Sequence, residues 1–396
     1  GLKRPCRISM SAIHSLLSAI GLISLAVAAG YAMLALMAVL VWKARDGAKT
    51  AVKLPPVTVL KPLCGAEPGL YENLRSFCRQ EYPEFHIVFG VRDRDDPALA
   101  VVARLVAEFP SLPINVVIDP QQHGSNRKVS SLINMLAQAR HDVLVMADSD
   151  AYVGPDYLTS VTTPLLDRKV GLVTCIYHGE PTARIWSRLG AMYVNEWYMP
   201  SVLLARLFGH EGYASGQTIC VRRETLQKIG GLRAIADDLA DDYRLGELVR
   251  GLGLRIVLSP YVLRAEHHEP TLDLLVRHEV RWMRTLRVLR PRSFSLIFFG
   301  FSLPLAIVGL LLCALAEVSP SMPAWALFEV TVFARVALHF AHRVRGERPL
   351  LVDFWLLPAR DLLLCWVWWR TFFTSRITWR GSEFDVDAHG IMRSSS

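Results

Sequence analysis

The chain has 396 residues, of which 52% are hydrophobic and only 20% are charged, whereas soluble domains carry about 25% charged residues. This apolar content excludes an intrinsically disordered chain. Lys and Arg (44) exceed Asp and Glu (36), which gives a formal net charge of +8. Such a charge suits contact with anionic lipid or phosphorylated substrates as well as with nucleic acid.

The apolar residues are concentrated in four runs, at 16–42, 294–315, 324–341 and 354–373. The first run contains no charged residue, and about 20 apolar residues suffice to cross a bilayer. A signal peptide has an apolar core of only about 7–15 residues, so a retained anchor is favoured over a cleaved leader. Arg360 and Asp361 lie inside the fourth run, which favours a lipid-surface or re-entrant helix over a full span.

Basic residues cluster beside the apolar runs, at 43–53, 284–292 and 342–348. Since Lys and Arg accumulate on the cytosolic side of membrane proteins, this pattern predicts a cytosolic region between the first two runs. The seven cysteines are odd in number and lack metal-ligand spacing, which indicates reduced thiols. We expect four parts: an N-terminal transmembrane anchor (1–43), a cytosolic domain (44–290), C-terminal membrane helices (291–375) and a basic tail (376–396).

Strands and helices alternate along the cytosolic region. Strands are predicted at 56–63, 85–93, 114–119 and 142–153, and helices at 69–80, 98–109 and 128–140. This alternation predicts an α/β fold with a mostly parallel sheet and helices on both faces. Ligands of such sheets bind at the carboxyl ends of the strands. Carboxylates lie at those ends here.

Acidic residues form three groups in this region. Asp93 ends the second strand, where it either caps a turn or contacts a ligand. Asp148 and Asp150 end the fourth strand, and a D-x-D pair there can either cap a helix or chelate Mg²⁺ or Mn²⁺ that also binds a diphosphate. Four acids at 237–242 precede a helical pattern. Some of them suit the helix dipole, and one is a candidate general base.

Two further segments have open interpretations. The basic helical pattern at 278–287 contains a Trp and is either a solvated or lipid-facing helix or a diphosphate-binding one. The segment 184–209 is rich in Trp, Tyr and Leu. It predicts helices lying at the lipid interface, with buried helices of the domain as the alternative.

In their order and spacing, these motifs resemble the inverting, processive-type GT-A glycosyltransferases. More narrowly, the chain resembles the ceramide glucosyltransferase family (glycosyltransferase family 21), whose signature is three spaced aspartates followed by (Q/R)-x-x-R-W. The motifs that carry the resemblance are Lys61-Pro62-Leu63 with Gly65, the turn from Asp93 to Pro97, Asp148-Ser149-Asp150, ADDYRLG (240–246) and Arg281-Trp282. His278 departs from this signature, since the family has Gln or Arg there.

The resemblance implies a GT-A fold (a Rossmann-like, mostly parallel sheet) in a cytosolic catalytic domain with transmembrane helices at both ends. It also implies a divalent cation, Mg²⁺ or Mn²⁺, between the protein and a UDP-sugar donor. Asp148 and Asp150 are then the metal and diphosphate residues, with Asp150 favoured as the direct ligand. Asp93 would hold the uracil and ribose, and Lys61 and Lys128 are candidate contacts of the diphosphate or nucleotide.

The same resemblance assigns the remaining site residues. Asp242 is the expected general base, with Asp241 as the alternative. Arg281 and His278 would stabilise the leaving group, His278 by donating a hydrogen bond, and Trp282 would line the sugar or acceptor pocket. Gly216 and Gln217 are expected in the substrate pocket.

Within the family, three segments are most like the bacterial hopanoid-associated branch: KPLCGAEPGLYENLRSFCRQEYP (61–83), ADDYRLGELVR (240–250) and LVRHEVRWMRTLR (275–287). The implied reaction moves one N-acetylglucosamine from its UDP conjugate to a bacteriohopanetetrol-type lipid, at a multi-pass protein of the bacterial inner membrane. The alternatives are a ceramide glucosyltransferase that uses UDP-glucose and, more remotely, a processive polysaccharide synthase. A transporter would carry ionisable residues in its spans, and the first two runs have none. The expected partners are the UDP-sugar, the lipid acceptor and the bilayer, and not nucleic acid.

Overall fold

A computed structural model describes residues 10–42, 53–182, 185–210, 212, 214–316, 320–341, 351–374, 376–379, 382–387 and 390–394. The chain divides into two compact units. The helical unit comprises Gly1–Trp42, Glu196–Leu204 and Arg290–Phe373. The α/β unit comprises Lys43–Asn195, Ala205–Leu289 and Thr374–Ser396.

The helices and strands alternate through the first half of the chain, as expected. In chain order the α-helices are α1 (Met10–Val41), α2 (Leu70–Cys78), α3 (Ala98–Glu108), α4 (Arg127–Leu136), α5 (Tyr157–Thr162), α6 (Ile185–Tyr193), α7 (Met199–Leu207), α8 (Arg223–Lys228), α9 (Asp241–Gly251), α10 (Leu272–Leu289), α11 (Ser302–Ala316), α12 (Met322–Ala341) and α13 (Leu357–Arg370). A π-helical turn covers Val194–Tyr198, and 3₁₀ turns cover Thr163–Leu166, Leu232–Ile235, Phe294–Gly300, Leu351–Leu356 and Thr371–Phe373. The strands are β1 (Val57–Pro62), β2 (Phe85–Val91), β3 (Ile114–Ile118), β4 (Val143–Ala147), β5 (Ala151–Tyr152), β6 (Val170–Pro181), β7 (Thr218–Arg222), β8 (Arg255–His267), β9 (Arg376–Trp379), β10 (Ser382–Val386) and β11 (Met392–Ser394).

An eight-stranded sheet forms the centre of the α/β unit, in the order β3-β2-β1-β4-β7-β6-β8-β5. The pairs from β3 to β4 are parallel, and β6 is parallel to β8. The strands β7 and β5 run antiparallel to their neighbours. The expected mostly parallel α/β sheet is therefore confirmed, and β6 to β8 extend it beyond the strands that were predicted.

Burial explains why the first strands were easy to predict. All five residues of β4 are buried, and so are the first five of β1. A strand covered on both faces is a continuous apolar run, because neither face can hold polar residues without cost. The buried side chains between this sheet and α4 and α9 form one core, which includes Leu60, Val129, Leu144 and Leu245.

The helical unit contains the apolar runs. Helices α1 and α12 are long and apolar enough to cross a membrane, with mean hydropathies of 2.2 and 1.4. The 3₁₀ turn Phe294–Gly300 and α11 together pass the same test but are bent by 79°. Two such helices, or three if the bent pair counts as one span, are therefore found among the described residues. Helix α13, in the run with Arg360 and Asp361, is not one of them.

Helices α1 and α11 approach closely at two glycines. A Cβ added to Gly21 would lie 2.7 Å from the Gly309 carbonyl oxygen, and one added to Gly309 would lie 2.8 Å from that of Gly21. Small residues allow such backbone contact between apolar helices. A side chain at either position would force the two helices apart.

The charged residues inside the later apolar runs pair with one another. Arg335 of α12 binds Asp361 of α13 through two hydrogen bonds of 2.8 and 3.0 Å. Arg335 and His339 also contact the two oxygens of Glu196, at 2.6 and 2.7 Å. All four side chains are at most 10% exposed. Pairing thus offsets the cost of removing these charges from water.

The segment expected as a basic tail contains a three-stranded antiparallel sheet, β11-β10-β9. It belongs to the α/β unit, although it follows the helices of the other unit in sequence. Its apolar side chains pack around Leu239 in a small cluster of their own. We call this three-stranded element the C-terminal sheet.

Candidate active site

The D-x-D pair lies at the carboxyl end of β4, as expected, and two lysines contact it. Lys128 Nζ lies 2.6 Å from Asp148 Oδ1. Lys61 Nζ donates a hydrogen bond to the main-chain carbonyl of Asp148. The residues predicted from the sequence therefore lie together in the fold. The two lysines differ in their surroundings and in their pKa.

Lys61 is completely buried, and its ammonium lies 3.7 Å from the centre of the Phe77 ring. Burial lowers the pKa of Lys61 to about 7, although Asp150 and Asp148 oppose the shift. An ammonium enclosed in this way faces protein rather than a nucleotide. This position does not favour the expected contact with the diphosphate or nucleotide, and in this structure the ammonium binds the main chain of Asp148.

Lys128 lies in the first turn of α4, whose N-cap Asn126 accepts a hydrogen bond from Val129 N. Burial lowers the pKa of Lys128, but the carboxylates of Asp148 and Asp241 outweigh burial, so the pKa is raised overall. Lys128 Nζ also donates to the Gly216 carbonyl at 3.4 Å. The lysine therefore carries a fixed positive charge at the carboxyl edge of the sheet.

Asp242 lies at the start of α9, directly beside the Gly216 backbone. Its Oδ2 accepts a hydrogen bond from Gly216 N at 2.7 Å, and its Oδ1 accepts one from Tyr243 N at 2.7 Å. Burial, and then the neighbouring Asp241, raise the pKa of Asp242 to about 6. A carboxylate with this pKa is ionised at neutral pH and more basic than an ordinary aspartate, as a general base requires.

Asp150 is joined to the same network through Gln217, whose Nε2 lies 3.3 Å from both carboxylate oxygens. Burial, and then Asp148 and Glu67, raise the pKa of Asp150 to about 6. Burial is the main cause of this shift, and the two neighbouring carboxylates add to it. A bound cation would oppose the shift, because positive charge favours the ionised carboxylate.

The residues present fit a hard divalent cation. Asp148 and Asp150 offer carboxylate oxygens, and the buried Gln217 Oε1 has no hydrogen-bond partner. Oxygen donors are the ligands that Mg²⁺ and Mn²⁺ prefer. Among the described residues no group of three or more His, Cys, Asp or Glu side chains forms a complete metal site. Asp148, Asp150 and Gln217 are the residues that would hold such a cation.

A second group of site residues lies on α10 and at the end of β8. His278 Nδ1 is 2.9 Å from Glu269 Oε1, and the Glu269 side chain is 4% exposed. Burial tends to raise the pKa of Glu269, but the hydrogen bond from His278 and the contact with His267 at 3.5 Å outweigh burial and lower the pKa to about 2. Removal from water, with Arg281 nearby, lowers the pKa of His278 to about 4. The pair is therefore an ionised glutamate and a neutral histidine.

This pairing changes the expected role of His278. A neutral ring that donates its Nδ1 proton to Glu269 has an unprotonated Nε2, which accepts hydrogen bonds. The donor role expected from the family signature is therefore not what the surroundings of His278 favour. Instead, His278 offers an acceptor for a hydroxyl group.

Trp282 lies beside His278 and stacks on Tyr193 of α6. The ring centroids of Trp282 and Tyr193 are 5.0 Å apart with an interplanar angle of 28°, and those of Trp282 and His278 are 4.0 Å apart. This group adjoins the D-x-D edge, because Glu266 N donates to the Asp150 carbonyl at 3.1 Å. An aromatic face next to a polar edge suits a sugar ring, which has both kinds of surface.

Asp93 lies further along the same edge. It is exposed, and its Oδ1 accepts a hydrogen bond from Asp95 N at 3.0 Å, as in the turn interpretation. The neighbouring Asp96 binds Gly65 N at 3.0 and 3.1 Å, which joins the loops after β1 and β2. Since β1 lies between β2 and β4 in the sheet, Asp93 is separated from the D-x-D pair by one strand.

The segment 184–209 is divided between the two units. Helix α6 is mostly buried in the α/β unit, which agrees with the alternative interpretation of buried domain helices. Asn195 binds both the N–H and the carbonyl of Gly179, at 2.7 and 2.9 Å. These contacts place Tyr193 beneath Trp282.

Sequence reasoning missed Glu269, His267 and Tyr193. Two of them had a recognisable pattern, because His267 is the last residue of β8 and Glu269 follows it at the carboxyl end. The same pattern selected Asp93 and Asp148. Tyr193 had none, since its contact with Trp282 depends on the packing of α6 against α10.

Comparison with known proteins identifies a matching family and several relatives. The family model described as Glycosyl transferase family 21 matches residues 21–392. Ceramide glucosyltransferase 1 of Caenorhabditis elegans is 21% identical over 350 residues, which are 86% of this chain and 74% of that protein. An N-acetylglucosaminyltransferase of Rhizobium leguminosarum bv. viciae is 23% identical over 346 residues, which are 79% of this chain and 80% of that protein.

A solved structure supports the fold. The mannosyltransferase of Pyrobaculum calidifontis, in complex with GDP-Man and Mn²⁺, matches with a TM-score of 0.51 and 22% identity, over 88% of this chain and 99% of that one. The expected GT-A fold of the α/β unit is confirmed by this likeness and by its mostly parallel sheet. Because the family model matches nearly the whole sequence and the site has the three spaced aspartates and the Arg-Trp pair, the chain belongs to glycosyl transferase family 21.

Proposed function

We propose that this chain transfers one sugar, N-acetylglucosamine, from its UDP conjugate to a hydroxyl group of a membrane lipid of the bacteriohopanetetrol type. The observation that carries the proposal is a continuous line of contacts. Asp148 binds Lys128, Lys128 binds the Gly216 carbonyl, and Gly216 N–H binds Asp242. Asp148, on the proposed diphosphate side, and Asp242, the candidate base, are thus linked through Lys128 and the Gly216 backbone.

The donor side would use the carboxyl edge of the sheet. Asp148 and Asp150 would hold Mg²⁺ or Mn²⁺, which offsets the charge of the UDP group when bound. Lys128, whose pKa is raised, adds a permanent positive charge beside them. Asp93 is exposed one strand away, and there it would hold the uracil and ribose end of the donor.

The transfer is a single displacement. The acceptor oxygen forms a bond to the anomeric carbon while the bond from that carbon to the UDP oxygen breaks, and Asp242 takes the hydroxyl proton. Attack from the face opposite UDP converts an α-linked donor into a β-linked product, with no covalent enzyme intermediate. General-base assistance of this kind contributes about 10²- to 10⁴-fold. Arg281 would neutralise charge on the departing UDP.

The α10 group would recognise the substrate hydroxyls. Trp282, stacked on the buried Tyr193, offers an aromatic surface, and His278 Nε2 offers a hydrogen-bond acceptor beside it. A lipid acceptor is supported by the helices that are long and apolar enough to cross a membrane. It is also supported by the ceramide glucosyltransferases among the relatives. The proposed location is the bacterial inner membrane, with several spans and the α/β unit in the cytosol.

A second function has its own support. The relatives named ceramide glucosyltransferase favour transfer of glucose from UDP-glucose to ceramide. The Rhizobium N-acetylglucosaminyltransferase favours the amino sugar instead, and at similar coverage. A processive polysaccharide synthase is disfavoured, because exporting a chain needs more spans than the two or three candidates of the described residues.

Purified protein in lipid nanodiscs tests the proposal. UDP-N-acetylglucosamine and UDP-glucose are each offered with bacteriohopanetetrol and with ceramide, and products are identified by mass spectrometry. We expect one N-acetylhexosamine on the hopanoid. Hexose on ceramide would establish the second function, and a water-soluble polymer would exclude both.

The base is tested in the same assay. Asp242→Asn should lower kcat by about 10²- to 10⁴-fold while UDP binding stays nearly unchanged. Wild-type kcat should rise with pH through a midpoint near 6, where the Asp242 carboxyl loses its proton. Asp241→Asn is the matched control, and a larger loss in that variant would move the role of base to Asp241.

A further inference from the structure

The C-terminal sheet contacts the loop that leads into Asp242. Leu239 N donates to the Gly390 carbonyl, and Met392 N donates to the Asp237 carbonyl, both at 2.9 Å. Asp238 and Ile391 form an antiparallel bridge between these two bonds. The loop 237–240 is therefore paired with the C-terminal sheet through its backbone. We call it the acidic loop.

Side-chain packing reinforces the pairing. Leu239 is 7% exposed and packs in one cluster with Ile377, Phe384, Val386 and Met392, each at most 4% exposed. Arg284 of α10 also donates to the Val386 carbonyl at 3.0 Å. The C-terminal sheet is thus anchored to α10 as well as to the acidic loop.

The other side of the acidic loop is bound to the start of α4. Asn126 Nδ2 donates to the Asp238 carbonyl at 2.9 Å, and Ser125 N donates to Asp237 Oδ1 at 2.7 Å. A cavity of about 370 Å³ borders the acidic loop beside Ala240 and Tyr243. Gly390, Ile391 and Val288 of α10 also line this cavity, so it lies on the side of the C-terminal sheet. It gives the acidic loop room to move if the C-terminal sheet releases it.

Helix α9 begins one residue after the acidic loop, and its N-cap Ala240 has no side chain that can bond the first turn. The direction of that turn, and so the place of Asp242 Oδ2 beside Gly216, depends on where the acidic loop lies. We propose that the C-terminal sheet is a positioning element for the general base, with Met392 and Leu239 as its contact residues. This proposal rests on the proposed role of Asp242. None of its residues touches the reacting atoms.

Met392→Ala tests the proposal, because it removes the side chain that covers Leu239 and leaves every site residue intact. A displacement near 1 Å costs about 10²-fold in rate, so we expect kcat to fall about 10- to 100-fold. The Kd for UDP should change less than about twofold, because Lys128 and Asp150 do not contact the C-terminal sheet. Met392→Leu, which keeps the apolar volume, should restore kcat.

Asp385→Ala is the matched control. Asp385 lies on β10 and pairs at 3.4 Å with the exposed Arg376 rather than with the Leu239 cluster, so its loss should leave kcat unchanged. Amide hydrogen exchange of 237–243 gives a second measurement that needs no turnover, and it should speed up in Met392→Ala. If Met392→Ala does not fold, Ile377→Val replaces it as the smaller change in the same cluster.

The outcomes separate the two proposals. Wild-type kcat together with unchanged exchange in Met392→Ala overturns the positioning role and leaves the proposed function intact. A loss of UDP binding as large as the loss of kcat also overturns it, because the C-terminal sheet would then support the whole fold. A wild-type protein that transfers no sugar overturns the proposed function and the positioning role together.

Discussion

Gly216 has little room for a side chain, and this makes Gly216→Ala a sensitive test of the site. A Cβ at this position would lie 3.2 Å from Lys128 Nζ and 3.3 Å from Asp242 Oδ2. Both contacts are closer than most real Cβ contacts, so the neighbours must move by a few tenths of an ångström. Lys128 has a flexible side chain, whereas two N–H groups hold Asp242. Lys128 can therefore move aside, whereas the added methyl group displaces the Asp242 carboxylate from its hydrogen-bonded position.

The size of the effect follows from that displacement. If 1 Å of misplacement costs about 10²-fold, a few tenths of an ångström cost about three- to tenfold in kcat. This corresponds to about 0.6–1.4 kcal/mol in the activation free energy. The main-chain N–H that binds Asp242 is still present in Gly216→Ala, so the carboxylate stays bound but shifted. The KM for the UDP-sugar should change less than kcat.

Initial rates of UDP release, measured at saturating acceptor, give kcat and KM for both proteins. Gly251→Ala is the control, because a Cβ at the end of α9 meets nothing within 4 Å; it should have wild-type kinetics. Unchanged kcat in Gly216→Ala would refute the reasoning, since Asp242 could then move without affecting the reaction. A selective rise in KM would instead assign the contact to donor binding through Lys128.

Three further predictions concern charge. Because the pKa of Lys61 is lowered in the folded protein, the free energy of unfolding falls as the pH falls from 10.5 to about 7. The change is on the order of a few kcal/mol. Lys61→Met should lack this pH dependence. Thermal unfolding from pH 7 to 10 checks it, and parallel curves would show that the ammonium is not buried. Glu269→Gln removes the carboxylate that holds His278 and should cost about 1.5–3 kcal/mol of stability. The KM for the UDP-sugar or for the acceptor should also rise more than kcat falls. If neither KM changes, His278 does not contact a substrate. EDTA should stop transfer and added Mg²⁺ or Mn²⁺ should restore it, with Asp150→Ala needing more metal; full activity in EDTA would remove the metal role from Asp148 and Asp150.

The sequence predicted the first half of the α/β unit closely, for a physical reason. The strand expected at 85–93 is β2 at Phe85–Val91, and the helix expected at 98–109 is α3 at Ala98–Glu108. Buried strands and amphipathic helices have different apolar periods, so each element is visible in its own residues. Once a strand is predicted, the carboxylates at its end can be read from the sequence, and the D-x-D pair is an example.

Contacts between distant parts of the chain were not predictable in this way. Lys61 has the pattern of a surface ligand, and only the fold shows that its ammonium is enclosed by Phe77 and the Asp148 carbonyl. His278 matches the position of a family donor, yet Glu269 changes what its ring offers. The strands of the C-terminal sheet contain charged residues, and their apolar residues pack against Leu239, which is distant in sequence. Local pattern carries no information on any of these partners.

The C-terminal sheet also has a consequence for how the protein is made. Leu289 and Thr374 belong to the same folded unit. If the helices between them cross a membrane, the number of crossings is even, because a folded unit lies on one side of it. The bent pair that ends in α11, together with α12, can supply two crossings. Helix α13, with 14 residues, spans only about 21 Å of a hydrocarbon core near 30 Å thick. The strands that hold the acidic loop leave the ribosome after all of these helices. Asp242, the proposed base, would therefore gain the support of the C-terminal sheet only after these helices have been synthesised.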